Sequence, residues 1–310
     1  MLTDVLRAEE LRQQVAGLPT LERISALKRA TLAEERFISV EQARIVTESY
    51  RNTVGRSQII RRAQALYDSL TQMPIRIDAG ELVVGNRTPG IRSGVVFPEG
   101  GITWVAEELE SLPTRPQDPF SVRPEDATLF LKEILPAWKK NTLEDIVAAR
   151  HGEDIAAVKS VVKINQTDHA QGHISPHVER WLSWGPMGIR RAAADRNTKD
   201  FYRAVELVMA GAMAFIRRYG DLARGLISVE GYNPAELREI AAVCNSLVTR
   251  PPESFREAIQ AVWFLFVVLQ MESNASSFSP GRLDQYLFPY LKRDLEAGLI
   301  SLVQAQELLE

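Results

Sequence analysis

Nine consecutive apolar residues, AVWFLFVVL at Ala261–Leu269, constrain the fold of this chain more than any other feature. The run is about half as long as a helix must be to span a bilayer, so it predicts a helix buried in a protein core. A helix that is apolar all round has to be covered on every side by other elements. The chain can supply them, because it has 310 residues and 45% of them are hydrophobic.

Helical patterns dominate both ends of the chain. In residues 1–74 apolar residues recur at helical spacing, and Met73-Pro74 ends the last helix because a residue before proline avoids helical angles. Ser39 and Gln42 have capping-box spacing, which predicts a helix start. Further helices are predicted at 104–111, 124–138, 142–150, 198–227, 234–248, 253–272, 282–296 and 301–309.

Strand signals are fewer. Ile75, Ile77 and Leu82–Val84 lie in a glycine-rich stretch that favours short strands, and KSVVKI at Lys159–Ile164 is a candidate strand followed by a loop. Few strands among many helices predict a helix-rich α/β fold, in which a parallel sheet with helical crossovers can form.

Charge and cysteine content narrow the class of protein. The net charge is −3, so electrostatics give no reason to expect a nucleic-acid or membrane partner. The single cysteine, Cys244, excludes an intrachain disulfide and a thiolate metal cluster, and its helical context favours packing over reactivity. The N-terminus lacks the apolar core of a signal peptide, so we expect a cytoplasmic protein.

Three of the four histidines, His169, His173 and His177, lie within nine residues. Gly172 and Pro176 argue against one continuous helix, so the cluster is expected in a loop that leads into a helix. Histidines there can move protons, bind a metal or contact a polar substrate. They can equally be ordinary loop residues that cap the following helix. The metal reading is the weakest, because HExxH is absent, and we expect no metal.

Two other polar segments leave alternatives open. ESNASSFSPGRLDQY, residues 272–286, follows the apolar helix and can point polar groups into a pocket. A simple helix–turn–helix, with Ser277 or Ser279 as an N-cap, is the favoured reading on chemistry alone. Glu99, in GVVFPEGGITW, can be a buried carboxylate, but a solvated loop acid is the favoured reading.

Six segments, in order along the chain, resemble the glycyl radical enzymes, the family of pyruvate formate-lyase and glycerol dehydratase. The resemblance runs from about Leu18 to the last residue. The segments are ISVEQARIVTESYRNTVGRSQIIRRAQAL, MPIRIDAGELVVGNRTP, GVVFPEG, LPTRPQDPF, GHISPHVERWLSWGPMGIRR and QMESNASSFSPGRLDQYLFPY.

The resemblance implies a ten-stranded α/β barrel wrapped in helices, of which this chain supplies the N-terminal part. Residues 1–74 correspond to the N-terminal helical region, and residues 75–310 to the first part of the barrel and its surrounding helices. In the family a glycyl radical passes to a cysteine, which abstracts hydrogen from substrate. An activating enzyme with an iron–sulfur cluster and S-adenosylmethionine installs the radical, and a homodimer is expected.

The chain departs from the family because it lacks the cysteine loop and the C-terminal glycyl radical domain. We therefore expect a fragment that binds no cofactor, carries no radical residue and leaves the apolar face of Ala261–Leu269 uncovered. The resemblance assigns a substrate-hydroxyl contact to His173, a place near substrate to Ser277 and a specificity role to His169. A second departure lies next to Ser277: this chain has Ala275-Ser276 where many family members have Gly-His.

The parent reaction implied by this resemblance is the radical elimination of water or sulfite from a small diol or hydroxysulfonate. The fragment alone is expected to be inactive. The alternative is a non-catalytic helical remnant that binds a partner protein, which the missing radical residues favour.

Overall fold

Many of the helices pack around one central helix, and a second hydrophobic cluster forms among residues 38–138. The computed structural model describes residue 15 and residues 17–162, 173–196, 199–275 and 277–310. The central helix, Phe255–Ser273, is buried along most of its length. In Ala261–Leu269 only Trp263 is exposed, and its indole donates to the carbonyl of Gly85 (3.0 Å). The expectation that this apolar face is left uncovered is therefore wrong, because neighbouring helices already bury it.

The helices agree closely with the predicted ones at both ends of the chain. The helix predicted at 142–150 ends at a kink at His151 (φ −133°, ψ 24°), and a second helical segment continues from there to Lys159. In chain order the helices are α1 Glu22–Ala33, α2 Glu41–Asn52, α3 Gln58–Gln72, α4 Thr103–Glu108, α5 Pro124–Leu129, a π-helical turn Phe130–Ile134, α6 Leu135–Trp138, α7 Leu143–Lys159, α8 Val178–Ala194, α9 Asp200–Leu226, α10 Pro234–Thr249, α11 Phe255–Ser273, α12 Leu283–Glu296 and α13 Leu302–Leu309.

The long helix α9 packs against α3, α8 and α10 through small residues. A Cβ built on Gly211 comes within 3.1 Å of the Tyr67 backbone, and one built on Gly220 within 3.2 Å of the Cys244 Cβ. A larger residue at either position would force the neighbouring helix to shift, so glycine favours these close approaches. Cys244 is fully buried, and burial raises the pKa of its thiol to about 12. Its role is packing, as its helical context predicts.

The strands are short, and of the four described only Ser93–Val95 lies in the glycine-rich stretch that was predicted to contain short strands. β1 (Phe37–Ser39) pairs in parallel with β2 (Ser93–Val95), and β3 (His173–Ile174) pairs in parallel with β4 (Ser277–Phe278). The strand predicted at Lys159–Ile164 is wrong over its first four residues, which form the end of α7 and a turn, and the last two lie outside the described residues.

The stretch from Ile75 to Val84 contains no strand, although its side chains favour one. Side chains bond to its backbone instead: Gln260 donates to the Val84 carbonyl (2.7 Å) and accepts from its amide (2.8 Å), and the Tyr232 hydroxyl donates to the Ile77 carbonyl (2.8 Å). At Val84, both backbone groups that a strand would pair are thus satisfied by a side chain of α11.

The capping box predicted from Ser39 and Gln42 is also wrong. Helix α2 begins at Glu41 without a side-chain cap, and Ser39 lies in β1, where its hydroxyl donates to Glu41. Gln42 is buried and bonds to α11 instead. Both residues thus make tertiary or strand contacts in place of the helix cap that their spacing in the sequence predicts. Among the described residues, no helix is long and apolar enough to cross a membrane.

The Glu81 carboxyl makes the stability of the fold depend on pH. Burial raises the pKa of its carboxyl to about 7, from 4.5 in an unfolded chain, so the folded state favours the protonated acid. The stability that depends on this proton is fully present below pH 4.5 and is lost as the pH rises through 7.

We therefore expect Glu81→Gln to be more stable than the wild type at pH 8 by about 1–3 kcal/mol, and equal to it at pH 4. Glutamine retains an oxygen for the Asp78 amide, which donates to Glu81 in the wild type (2.9 Å). Urea unfolding at both pH values measures the difference. A stability difference independent of pH would contradict this assignment.

Candidate functional site

The structure brings together His173 and Ser277, which are 104 positions apart in sequence. They are register partners in the parallel pair of β3 and β4. The His173 Nδ1 and the Ser277 Oγ are hydrogen-bonded, and the Ser279 amide donates to the Ile174 carbonyl (2.8 Å). The imidazole is exposed and the serine half-buried, so the pair can meet a ligand from the open side.

The turn after α11 places Ser277. Helix α11 ends at Ser273, and Asn274 follows in the left-handed region (φ 46°, ψ 42°). Asparagine tolerates this conformation better than most residues with a side chain. Ser277, the first residue of β4, follows Asn274 by only three positions.

Of the other predicted residues, His177 does not join this pair. His169 lies outside the described residues. His177 is exposed at the start of α8, where its Nδ1 contacts the Glu179 carboxylate (3.2 Å) and its side chain makes no cap. Among the residues that the structure describes, no group of three potential ligands could hold a metal ion.

The N-cap reading of the serines is wrong. Helix α12 begins after Arg282 without a side-chain cap, and Ser277 lies in β4. The Ser279 hydroxyl accepts from the amide of Gly281 (3.3 Å), whose φ of 67° allows the turn into α12. The serines therefore shape a turn and a strand instead of starting a helix.

A partly buried polar network behind the turn was missed by sequence reasoning. Arg62, on α3, donates from Nε to the Glu272 carboxylate (2.9 Å) and from Nη2 to the Glu272 carbonyl (2.7 Å). Its Nη1 lies 3.4 Å from the Glu99 carboxylate, which also accepts a hydrogen bond from the Tyr50 hydroxyl. One arginine therefore lies between two carboxylates, beside the turn.

The preferred reading of Glu99 as a solvated loop acid is wrong. Its side chain is 12% exposed. Burial raises the pKa of the Glu99 carboxyl, and the charge of Arg62 and the Tyr50 hydrogen bond oppose this rise. Burial also lowers the pKa of Arg62, but Glu99 and Glu272 outweigh it and leave that pKa raised. No sequence signal singled out Arg62, because α3 also carries Arg61 and Asp68.

A second set of contacts holds the same turn from the other side. The Gln42 side chain donates to the Met271 carbonyl (2.7 Å). Arg87 donates from Nε to the Gln42 side-chain oxygen (3.0 Å) and from Nη1 to the Asn274 side-chain oxygen (2.9 Å). Residues from α2 and from the loop before β2 therefore fix the turn that leads to Ser277.

An apolar cavity of about 720 Å³ lies apart from this pair, between α1, α11 and α12. Neither His173 nor Ser277 lines it. Leu27, Trp263, Phe266 and Leu287 give it an apolar wall, with Arg23 at its edge. Such a wall suits packing more than the chemistry of a small hydroxylated compound.

The Arg62–Glu272 ion pair should contribute measurably to stability. Both side chains are about one-third exposed (32% and 30%). We expect a double-mutant cycle with Arg62→Met and Glu272→Gln to give a coupling energy of about 1 kcal/mol in urea unfolding.

The matched control is Arg282 with Asp284, an ion pair at 2.7 Å in which both side chains are 66% exposed. A cycle with Arg282→Met and Asp284→Asn should show no measurable coupling, because water screens the charges. Equal coupling in the two cycles would mean that the network behind the turn is only a surface ion pair.

Comparisons with known proteins identify the family of this chain. The model of the pyruvate formate lyase-like family matches residues 16–310. A probable dehydratase of Escherichia coli K12, YbiW, is 29% identical over 276 residues, which are 84% of this chain and 34% of that protein. The isethionate sulfite-lyase of Oleidesulfovibrio alaskensis is 29% identical over 300 residues, which are 88% of this chain and 36% of that protein.

Solved structures show the same relation. The glycerol-bound B12-independent glycerol dehydratase of Clostridium butyricum superposes with a TM-score of 0.87 at 31% identity, over 94% of this chain and 39% of that one. A structure for 1,2-propanediol dehydration in Roseburia inulinivorans gives 0.88 at 30% identity, over 94% and 37%. The chain thus spans little more than a third of these relatives. It belongs to the pyruvate formate lyase-like family and has the helix-rich fold of the N-terminal portion of a glycyl radical enzyme.

Proposed function

We propose that this chain supplies part of the substrate pocket of a glycyl radical lyase, which eliminates water or sulfite from a small diol or hydroxysulfonate. The contact between His173 and Ser277 carries the proposal. It joins two polar side chains, from segments 104 positions apart, at an open face of the fold. Relatives named as a dehydratase and a sulfite-lyase support this class of reaction.

The elimination requires that the substrate hydroxyl is held in a fixed position beside the reacting carbon. The radical supplies hydrogen abstraction from an unactivated C–H bond, which no side chain described here can do. His173 then acts on the substrate: with Nδ1 bonded to Ser277, its Nε2 can accept the proton of the hydroxyl beside the reacting carbon. Loss of that proton makes departure of the neighbouring group easier. Ser277 holds the imidazole orientation, and His169 is proposed to set specificity.

The radical cysteine is proposed to come from outside this chain. Cys244 has no exposed surface, and burial raises the pKa of its thiol to about 12, so it can neither meet a substrate nor exchange a radical with a loop. The parent is proposed to receive its glycyl radical from an activating enzyme that uses S-adenosylmethionine and an iron–sulfur cluster. Its proposed state is a cytoplasmic homodimer.

The domain assignment is part of the same proposal. Residues 1–74 form the N-terminal helical region, and residues 75–310 form the first part of the barrel and the helices around it. The parallel pairing of β3 with β4 supports this assignment, because a barrel of this type is built from parallel strands joined by helices.

The 310-residue chain alone should not turn over a diol or a hydroxysulfonate, even with activating enzyme and S-adenosylmethionine. Polar side chains can position a hydroxyl but cannot abstract hydrogen from carbon. Product assays with 1,2-propanediol, glycerol and isethionate test this. Turnover of any of them would overturn the proposal that the radical residues come from outside this chain.

In the full-length gene product, His173→Ala should lower turnover by at least about 100-fold and leave the glycyl radical signal intact, because His173 acts on substrate. The matched control is His177→Ala, four residues away and outside the pair. Electron paramagnetic resonance of the activated variants beside a product assay gives both readouts. Normal turnover in His173→Ala would remove His173 from the mechanism, and a lost radical signal would assign it to activation or folding.

A further inference from the structure

Helix α11 ends inside the protein, where its last carbonyls need hydrogen-bond donors. The final four carbonyls of an α-helix have no partner within the helix. Here the Asn274 amide donates to the Gln270 carbonyl (3.2 Å), Gln42 donates to that of Met271 (2.7 Å), and Arg62 donates to that of Glu272 (2.7 Å). Side chains that are more than 200 positions distant in sequence therefore terminate this helix.

Arg87 connects the helix end to the turn that follows it. Its Nε bonds to the oxygen of Gln42, whose amide nitrogen holds the Met271 carbonyl, and its Nη1 bonds to the Asn274 side chain. The planar guanidinium fixes the angle between these two hydrogen bonds. A shift of Asn274 relative to the helix end would break at least one of them.

Burying the charged guanidinium of Arg87 at this position is energetically unfavourable. In the described part of the chain no carboxylate is paired with Arg87, and its Nη2 is shielded from solvent without a hydrogen-bond partner. Burial lowers the pKa of Arg87 to about 9. The negative end of the α11 dipole offsets part of this cost. An apolar side chain would serve packing alone at lower cost, so the guanidinium is kept for the geometry it imposes.

We propose that Arg87 is a positioning residue: by holding Asn274 against the end of α11, it places the Ser277 hydroxyl in hydrogen-bonding contact with His173. Ser277 follows Asn274 by three residues and has its register partner, His173, on β3. The functional meaning of this inference rests on the proposed function, because it makes Arg87 act on the substrate pocket through Ser277. The effect of Arg87 on the contact between His173 and Ser277 concerns this chain alone and does not depend on the proposed function.

The test uses the 310-residue chain with histidine as the only isotope-labelled residue type. Its four imidazoles give separate nitrogen–proton correlations, and His173→Gln identifies the signal of His173. We expect the wild type to show His173 with a hydrogen-bonded Nδ1. Arg87→Met should lose that pattern. In a second sample, labelled at serine, the Ser279 amide, which donates to Ile174, should exchange with solvent roughly tenfold faster in Arg87→Met than in the wild type.

Two further variants separate positioning from general stability. Asn274→Gly removes the acceptor of Arg87 but keeps a residue suited to the left-handed turn, so it should cause the same loss at His173 and decides the test if Arg87→Met does not fold. Arg218→Met is the matched control. Arg218 donates to the carbonyls of Leu70 and Met73 at the end of α3, which is a similar arginine contact at another helix end.

The proposal is overturned if the His173 pattern survives in Arg87→Met or Asn274→Gly, if the wild type lacks it, or if Arg218→Met loses it equally. It is supported when only the first two variants lose it. The spectra contain no substrate, so this result is independent of whether the parent acts on a diol. A parent that ignores diols and hydroxysulfonates while the spectra behave as expected would contradict the proposed function alone.

Discussion

The end of the buried helix Phe255–Ser273 is the constraint on which the candidate site depends. A helix covered on nearly all sides brings its unpaired carbonyls into the protein, where each needs a donor. Gln42 and Arg62 supply donors from helices near the N-terminus. The N-terminal helices are therefore attached to the point where the chain leaves α11 for the strand of Ser277.

Positively and negatively charged side chains both lie near the C-terminal end of α11. Arg62 and Arg87 lie where the helix dipole is negative, and Glu272 and Glu99 lie beside Arg62. Arg62 is thus balanced by carboxylates, whereas Arg87 is balanced by amide oxygens and the dipole. This difference explains why burial lowers the pKa of Arg87, while the pKa of Arg62 stays raised.

The sequence predicted the helices well and the strands poorly, for a physical reason. Helical periodicity is local, so residues 253–272 could be assigned to a buried helix without knowledge of its neighbours. Strands of two or three residues have no readable period, and their pairing depends on distant segments. Glu99 shows the same limit: nothing beside it in sequence indicates that Tyr50 and Arg62 surround it. The contact of His173 with Ser277 was foreseen as a shared pocket only through the family resemblance.

The positions of these two residues also explain how much of a pocket this chain can form. His173 presents an exposed ring, and only one of its nitrogens is engaged by Ser277. A small hydroxylated molecule needs several polar partners and exclusion of water before its hydroxyl is held in register. In the proposed pocket the described residues supply one wall, with a histidine oriented by a serine, and the proposed role of Arg87 is to set that serine through the turn at the end of a buried helix. Orientation is thus built into this portion of the fold, whereas enclosure has to come from other residues.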